Sequence, residues 1–325
     1  MKKISIFLIP FFFLKCVAFN TIRAFDFAGE KSLELVEQRI ESHGTDKILV
    51  ISVEGEISDS PKSGGGLFSM GSHDSMVAVI KEELKKAKND SQIKGVILKI
   101  DSPGGGVTAS DIIYHELMEF KELKKIPVVA LFMDVAASGG YYVAMASDGI
   151  VSHPTAITGS IGVIISGINV KDGLEKIGIK DQSITSGANK SILSPLREFT
   201  PEQRKIIQSV VDQMYERFFK IVKKNRSKVA DARLRLIADG RIFTAEQALQ
   251  EGLVDRVGYL QDAVDHLKKM SNYTGSDSPS IIHYGYDKRQ NRNFYHNSYA
   301  EPGNDMISSL LKLNSQRKFM YLWKL

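Results

Sequence analysis

A serine set between small residues is the first candidate for chemistry in this chain. Ser138 lies in the string Ala136-Ala-Ser-Gly-Gly-Tyr141, between a predicted strand and a predicted helix. A hydroxyl exposed at such a turn meets backbone N–H groups and the helix dipole, which favour developing negative charge. The arrangement therefore resembles a nucleophile elbow, although Ala136 stands at the first glycine of the usual G-x-S-x-G string. Taken alone, Ser138 fits the commoner role of a helix N-cap better.

A second glycine-rich turn, Asp101-Ser-Pro-Gly-Gly-Gly-Val-Thr108, also follows a predicted strand. Successive glycines adopt backbone conformations closed to other residues and let another chain approach the main chain closely. The turn can equally be an ordinary strand-to-helix connection. Gly104, Gly106 and Ala109 also satisfy the dinucleotide fingerprint G-x-G-x-x-A. We disfavour that interpretation, because the first acid ending the next strand, Asp134, lies 30 residues after Gly104, whereas about 20 are expected.

The elements around these turns alternate between strand and helix, which is typical of βαβ units and a parallel sheet. The pattern predicts strands at 47–53, 93–100 and 127–133, and helices at 76–88 and 111–125. Beyond residue 147 it predicts shorter strands at 149–152, 160–165 and 182–185, then helices at 201–226 and 245–251. Apolar residues at helical spacing predict a short amphipathic helix within 31–40.

Composition excludes several classes of protein. Hydrophobic residues make up 43% and charged residues 25% of the chain, as in globular proteins. The mean hydropathy of −0.13 excludes a polytopic membrane protein. A net charge of +5 over 325 residues is too dilute to indicate nucleic acid. One cysteine excludes an internal disulfide, and the seven histidines form no HExxH pair, so we expect no metal.

The first residues predict export. Met1 and two lysines precede the apolar run 4–14, as in the basic and apolar regions of a signal peptide. The run is short for a spanning helix of roughly 17–25 residues, and Lys15 interrupts its extension. Cys16 and Ala18 give a small-x-small pattern that fits cleavage after Ala18. An uncleaved signal-anchor is the alternative.

Six short blocks, in this order, strongly resemble the signal peptide peptidase (protease IV) family. The resemblance runs from about residue 46 to residue 267, and the single repeat resembles the short bacterial form of the family. The blocks are Asp101-Ser-Pro-Gly-Gly-Gly-Val107, Ala137-Ser-Gly-Gly-Tyr-Tyr142, Thr158-Gly-Ser-Ile-Gly-Val163, Ser186-Gly-Ala-Asn-Lys-Ser-Ile-Leu-Ser-Pro195, Ala238-Asp-Gly-Arg-Ile-Phe243 and Gly252-Leu-Val-Asp255.

The resemblance implies an α/β, caseinolytic-protease/crotonase-like fold with a parallel sheet flanked by helices, and a serine/lysine dyad. By position in the blocks, the nucleophile is Ser138 and the general base is Lys190. Gly105 matches a backbone donor of the oxyanion hole, and the N–H of Gly139 is the second donor that we expect. Ser160 matches a serine that hydrogen-bonds the lysine.

A serine/lysine dyad requires a particular environment for each of its two side chains. A serine hydroxyl needs a base to take its proton, and lysine is a base only when neutral, which desolvation favours. Small and apolar neighbours around Lys190 predict a dry pocket, while the residue alone would read as a solvated surface lysine. A peptide substrate is expected to lie extended, pairing with Gly105–Val107 on one side and residues near 162–164 on the other. The substrate-binding candidates are Gly106, Val107, Gly162 and Val163.

The family also implies a biological role. We expect a membrane-associated serine endopeptidase that degrades cleaved signal peptides, prefers small or apolar side chains and uses no cofactor. We expect a homo-oligomer in which neighbouring subunits share the dyad, with no nucleic-acid partner. Its expected place is the bacterial inner membrane, held by the N-terminal segment, with the catalytic domain on the extracytoplasmic side.

The chain is accordingly divided into three parts. These are a signal peptide or signal-anchor at 1–24, a peptidase domain at 25–270 and a weakly ordered or accessory tail at 271–325. Three alternatives remain open. They are a general periplasmic endopeptidase of the same family, a crotonase-like acyl-CoA enzyme and a proteolytically inactive scaffold.

Overall fold

The computed structural model describes residues 35–41, 43–60, 62–63, 72–286, 293–295 and 320–323. The predicted signal segment at 1–24 lies outside these residues, as does much of the predicted tail. None of the helices within the described ranges is long and apolar enough to cross a membrane.

The described residues form thirteen strands, numbered here in chain order. They are β1 (Val36–Glu41), β2 (Lys47–Glu54), β3 (Lys62–Ser63), β4 (Ser72–His73), β5 (Ile93–Ser102), β6 (Gly104–Gly106), β7 (Val128–Ala137), β8 (Gly149–Ser152), β9 (Ile157–Gly159), β10 (Ile242–Thr244), β11 (Arg256–Val257), β12 (Ser280–Gly285) and β13 (Met320–Leu322).

The described helices are numbered in the same way. They are α1 (Met76–Lys88), α2 (Val107–Lys124), α3 (Gly139–Ala144), α4 (Lys171–Lys176), α5 (Pro201–Asn225), α6 (Asp231–Ile237), α7 (Ala245–Gln250) and α8 (Leu260–Lys268).

A large, mostly parallel sheet forms the centre of the fold. Its order is β1-β12-β2-β5-β7-β8-β11, and β9 pairs with both β7 and β10. Only β1 and β10 run antiparallel to their neighbours among these described strands. The central strands β2, β5 and β7 are rich in buried Val, Ile and Leu, as expected for parallel strands covered on both faces.

Helices cover both faces of the sheet. On one face, Met76 and Ile80 of α1 and Leu117 of α2 pack in the core with Leu49 and Leu98 of the sheet. On the other face, the side chains of α8 pack against alternate residues of the same strands. That second cluster includes Ala263, Val264 and Leu267 with Ile48, Val50, Ile97, Val129 and Leu131. The predicted fold, a parallel sheet flanked by helices, is confirmed.

The sheet brings the two glycine-rich turns to one edge. β5 runs directly into the first turn, and β7 ends one residue before Ser138. The two strands are parallel neighbours, with Ser102 opposite Ala136 at their carboxyl ends. Because carboxyl ends of parallel strands share one edge of a sheet, the turns that follow them lie side by side.

Local pattern gave the wrong element in three places. Residues 36–41, which overlap the helix predicted within 31–40, form β1, because they pair antiparallel with β12 far along the chain. The strand predicted at 160–165 is replaced by β9, which ends before the left-handed backbone of Ser160 (φ 50°). The predicted strand at 182–185 has no regular structure.

The segment after residue 270 also differs from its predicted role as a tail. Ser280–Gly285 lies inside the central sheet, between β1 and β2. Met320–Leu322 pairs with the first glycine-rich turn, and Tyr321 is fully buried. These described parts of 271–325 therefore belong to the core and to the surroundings of the turns. Short strands joined by polar residues gave no periodic signal strong enough to predict the place of these two segments in the fold.

Candidate active site

Ser138 is held at a sharp strand-to-helix turn. Its backbone lies at φ 53° and ψ −113°, a conformation rare for residues other than glycine, between the end of β7 and the start of α3. The Ser138 N–H donates to the Gly159 carbonyl at 2.8 Å, and the Ser138 carbonyl accepts from the Tyr142 N–H at 2.8 Å. Such a backbone costs about 1–3 kcal/mol and persists only where its surroundings impose it.

The N-cap alternative for Ser138 does not fit this geometry. Ser138 occupies the N-cap position of α3, but its side chain makes no capping hydrogen bond. The residue is 1% exposed. Its hydroxyl is therefore not engaged in stabilising the helix start.

The first glycine-rich turn is fixed by the segment that follows β2. The Ile57 N–H donates to the Gly104 carbonyl at 2.8 Å, and the Gly106 N–H donates to the Ile57 carbonyl at 2.9 Å. Gly104 has φ 99°, which favours glycine. A β carbon on Gly105 would lie 2.1 Å from the Ile57 carbonyl oxygen. Only glycine therefore fits at position 105.

The two turns converge on one point. A β carbon added to Gly139 would lie 3.1 Å from the Gly105 nitrogen. One added to Gly104 would lie 2.6 Å from the Gly139 nitrogen. The backbone nitrogens of Gly105 and Gly139 therefore lie close together beside Ser138. Two backbone N–H groups near a serine are the arrangement that an oxyanion hole requires.

Ser160 lies next to Ser138 in the fold. β9 pairs with β7 in parallel, with Gly159 opposite Ala137, so the residues that follow, Ser160 and Ser138, leave the sheet side by side. The Ser160 N–H donates to the Arg241 carbonyl at 2.7 Å, and Ser160 is 8% exposed. The structure thus brings together Ser138, Ser160 and both candidate oxyanion donors.

Lys190 is not joined to this group within one chain. It lies in the segment 165–200, whose residues are mostly exposed, and Lys190 is itself exposed. Among the described residues, no hydrogen bond or salt bridge links its side chain to Ser138 or Ser160. The dry pocket predicted around Lys190 is therefore not formed by a single copy.

The same segment presents apolar side chains to solvent. Ile168, Ile177 and Ile184 are 58%, 69% and 99% exposed. Several exposed apolar residues within one segment are typical of surfaces that bind another protein. Lys190 thus lies on a surface suited to contact with a second chain.

The four substrate-binding candidates lie in two segments, one on each side of a short strand. Gly106 belongs to β6 and Val107 begins α2, while Gly162 and Val163 precede Ile164 on the other side. Within the described residues, β13 lies between these two sides. It pairs with Gly104–Gly106 and forms a bridge to Ile164. The extended segment predicted for a peptide substrate is present here as part of the chain itself.

An aromatic cluster beneath the turns was missed by sequence reasoning. Tyr142 and Phe218 are fully buried and lie 5.0 Å apart between ring centroids. The Tyr142 hydroxyl donates to Asp111 Oδ1 at 2.5 Å, and Arg217 pairs with the same carboxylate. Burial, and then the bond to Asp111, raise the pKa of Tyr142. The two tyrosines after Gly140 belong to one of the blocks that resemble the family, and that was the sequence signal from which the cluster could have been predicted.

Comparison with known proteins decides the family. Residues 120–274 match the profile of peptidase family S49, and residues 67–158 match that of Clp protease. An Enterococcus faecium protein named "Putative signal peptide peptidase SppA" is 40% identical over 257 residues, covering 79% of this chain and 72% of that protein. The chain belongs to peptidase family S49.

Other relatives are longer than this chain. "Serine protease SPPA, chloroplastic" of Arabidopsis thaliana is 35% identical over 70% of this chain and 33% of its own length. "Protease 4" of Haemophilus influenzae is 33% identical over 74% of this chain and 37% of its own length. Membership of S49 makes this chain a serine peptidase and confirms the family predicted from the six blocks. The Clp protease match agrees with the predicted fold.

Proposed function

We propose that this S49 chain is a subunit of a homo-oligomeric endopeptidase in which Ser138 and Lys190 form a catalytic dyad across two copies. The observation that carries the proposal is the strained backbone of Ser138 at the joint of β7 and α3. The hydroxyl of Ser138 is buried and makes no capping bond, and the Gly105 and Gly139 nitrogens lie beside the same turn. The combination suits attack on a carbonyl and has no evident structural use.

The proposed reaction is acyl transfer. Neutral Lys190 takes the proton of Ser138 as its oxygen attacks the peptide carbonyl, and the Gly105 and Gly139 N–H groups hold the resulting oxyanion. The lysine then gives the proton to the leaving amine as the C–N bond breaks. Water, activated by the same lysine, releases the acyl group from Ser138. Ser160 orients the amine by hydrogen bonding without adding charge.

A neighbouring copy supplies the lysine in this proposal. Lys190 is exposed in one chain, in a segment that also exposes Ile168, Ile177 and Ile184, so a second copy docking there would remove it from water. An amine in dry surroundings favours its neutral form, which is the form that acts as a base. Docking would thus place Lys190 beside Ser138 and, at the same time, favour the neutral form of the lysine.

We also propose the remnants of signal peptides as substrates. The name of the Enterococcus relative supports this class, and so does a groove that pairs with an extended backbone. Attachment to the bacterial inner membrane through the N-terminal segment, with the peptidase domain on the extracytoplasmic side, fits this substrate. A general periplasmic endopeptidase would instead cut unfolded proteins of any origin at comparable rates.

Mixing of inactive subunits tests the shared dyad. Ser138→Ala and Lys190→Ala chains with different tags are coexpressed, and mixed oligomers are isolated through both tags and assayed with a fluorogenic peptide. Each variant alone is expected to be inactive. Random mixing in a ring pairs an intact serine with an intact lysine at about a quarter of the sites, so activity returns.

The controls define what would contradict the proposal. Lys180→Ala changes another exposed lysine of the same segment and is expected to keep full activity. If the mixed oligomers stay as inactive as each parent, the two residues do not act across copies. Full activity of Ser138→Ala alone would remove the mechanism altogether.

A further inference from the structure

The two candidate oxyanion donors adjoin two different helices. Gly105 lies two residues before the start of α2, and Gly139 is the first residue of α3. A β carbon added to Gly139 would lie 3.1 Å from the Gly105 nitrogen, so the two turns are in contact. A shift of one helix against the other would therefore change the spacing between the two N–H groups.

The first turn of α2 packs against the start of α3. Ser110 is fully buried, and its hydroxyl donates to the Gly106 carbonyl at 3.0 Å. A β carbon added to Gly139 would lie 2.6 Å from the same hydroxyl oxygen. This contact limits how closely the helices approach each other, but it does not prevent them from moving apart. A bond between the two helices is needed for that.

A side-chain hydrogen bond joins the two helices. The Tyr142 hydroxyl of α3 donates to Asp111 Oδ1 of α2 at 2.5 Å. The Tyr142 N–H also donates to the Ser138 carbonyl at 2.8 Å. Burial first, and then the bond to Asp111, raise the pKa of Tyr142, so the phenol stays protonated and remains a donor. Tyr142 therefore links the turn of Ser138 to the helix that follows Gly105.

The carboxylate of Asp111 is held from a third element, α5. Arg217 donates to the same Oδ1 from Nη2 at 2.7 Å and from Nε at 3.1 Å. Because the Arg217 side chain is 58% exposed, this ion pair contributes little to stability. It restricts the carboxylate to one orientation, toward Tyr142. The next residue, Phe218, packs on the Tyr142 ring at 5.0 Å between centroids, so donor and acceptor are both fixed.

We propose that Asp111 is a positioning residue of the oxyanion hole, which acts through Tyr142 to keep the Gly105 and Gly139 N–H groups at the spacing that one oxyanion needs. The inference rests on the proposed function, because it assigns a support to the donors of that mechanism. A displacement of about 1 Å in an active site costs roughly a hundredfold in rate. Loss of the support is therefore expected to lower kcat with little effect on KM.

Two adjacent tyrosines of α3 provide a matched pair of variants. Tyr142→Phe removes the hydroxyl that bonds to Asp111 and keeps the ring. Tyr141→Phe removes another buried hydroxyl, which donates to the Leu253 carbonyl at 2.7 Å and not to α2. Each variant loses one hydrogen bond, so urea unfolding is expected to show a similar loss of stability. Only Tyr142→Phe is expected to lower kcat, by about tenfold, with KM changed less than about twofold.

Variants of Asp111 test the acceptor of the same bond. Asp111→Ala is expected to be at least as slow as Tyr142→Phe, and the double variant no slower than Asp111→Ala, because both changes remove one interaction. Asp111→Asn keeps an acceptor oxygen and is expected to retain kcat within about threefold. Glu122→Ala changes an exposed acid of α2 and is expected to leave kcat unchanged. Losses that multiply in the double variant would overturn the proposal.

A transition-state analogue measures the oxyanion hole itself. A peptide aldehyde adds reversibly to the Ser138 hydroxyl, giving a hemiacetal whose oxygen lies at the two N–H groups. Its Ki is expected to rise in Tyr142→Phe by the factor by which kcat/KM falls, and to stay at the native value in Tyr141→Phe. If Ser138→Ala is inactive while both Phe variants keep the native kcat and Ki, the positioning role fails and the proposed mechanism stands. If Ser138→Ala stays active, the proposed mechanism fails and the positioning role fails with it.

Discussion

At the scale of single residues, the site depends on one backbone conformation. Ser138 adopts φ 53°, where a β carbon is strained, and the hydrogen bonds to Gly159 and from Tyr142 hold it there. A glycine would adopt this conformation without strain but would remove the hydroxyl. A serine at a position suited to glycine is what the proposed role as nucleophile requires.

Two substitutions at this position separate the strain from the chemistry. Ser138→Ala and Ser138→Gly are both expected to lower peptidase activity at least about a thousandfold, because both lack the nucleophile. In urea unfolding, Ser138→Gly is expected to be about 1 kcal/mol more stable than Ser138→Ala, because only alanine keeps the strained β carbon.

The matched control is Ala144→Gly in the same helix, at the end of α3. There glycine is expected to destabilise by about 1 kcal/mol, as it does at ordinary helical positions. A Ser138→Gly protein that is less stable than Ser138→Ala would show that the turn is not strained.

At the scale of elements, the sequence predicts what local signals determine. The strands before the two glycine-rich turns and the helix after the first are visible as apolar runs, glycines and spacing, so β5, β7 and α2 were predicted. β7 nevertheless runs four residues beyond its predicted end, to Ala137, and α2 begins four residues before its predicted start, at Val107. The approach of Gly105 to Gly139 follows from parallel neighbours in the sheet. The two glycine-rich turns and the strands before them could be predicted because each of these elements is determined by residues close to it in sequence.

The remaining elements depend on distant partners. β1 exists because β12 pairs with it, and no local pattern reveals a partner some 240 residues away. Tyr321 enters the groove through backbone bonds to Gly105 that leave no trace in side-chain periodicity. Lys190 is assigned by resemblance alone, since nothing within one chain brings it to Ser138. Long-range pairing is what local sequence patterns could not supply.

The place of β12 in the core gives a prediction about stability. Ile282 lies in β12, is fully buried and packs in the main core cluster. Ile282→Ala is expected to lower the free energy of unfolding by about 2–4 kcal/mol, through lost burial and the cavity left behind. Leu236→Ala removes the same number of atoms from a side chain that is 56% exposed and lies outside the segment of Lys190, and is expected to change it by less than about 1 kcal/mol. Equal effects of the two substitutions would place 280–285 outside the cooperative core.

At the scale of the whole molecule, ionisable side chains are buried on both faces of the central sheet. Lys99 and Glu54 form a buried ion pair of 2.9 Å on neighbouring strands β5 and β2. Glu83 of α1 is also buried, and no hydrogen bond reaches its Oε2 among the described residues. Burial first, and then the charge of Glu54, raise the pKa of Glu83 well above its usual value. The folded protein therefore holds a proton on Glu83 that the unfolded chain releases at lower pH.

This proton links stability to pH in a definite direction. Between the ordinary pKa of a glutamate, near 4.5, and the raised pKa of Glu83, the folded state binds more protons than the unfolded state. The free energy of unfolding therefore falls as pH rises through that window.

Glu83→Gln keeps the shape of the side chain but has no proton to lose. The variant is expected to be more stable than the native protein at pH 8, and the advantage is expected to shrink toward pH 5. Urea unfolding at both pH values measures the difference, with Glu82→Gln of the same helix, 57% exposed in its side chain, expected to show no such dependence. A constant difference between Glu83→Gln and the native protein across this range would mean that Glu83 titrates as an ordinary surface carboxylate, and the buried charge would then have no part in setting the pH response of the fold.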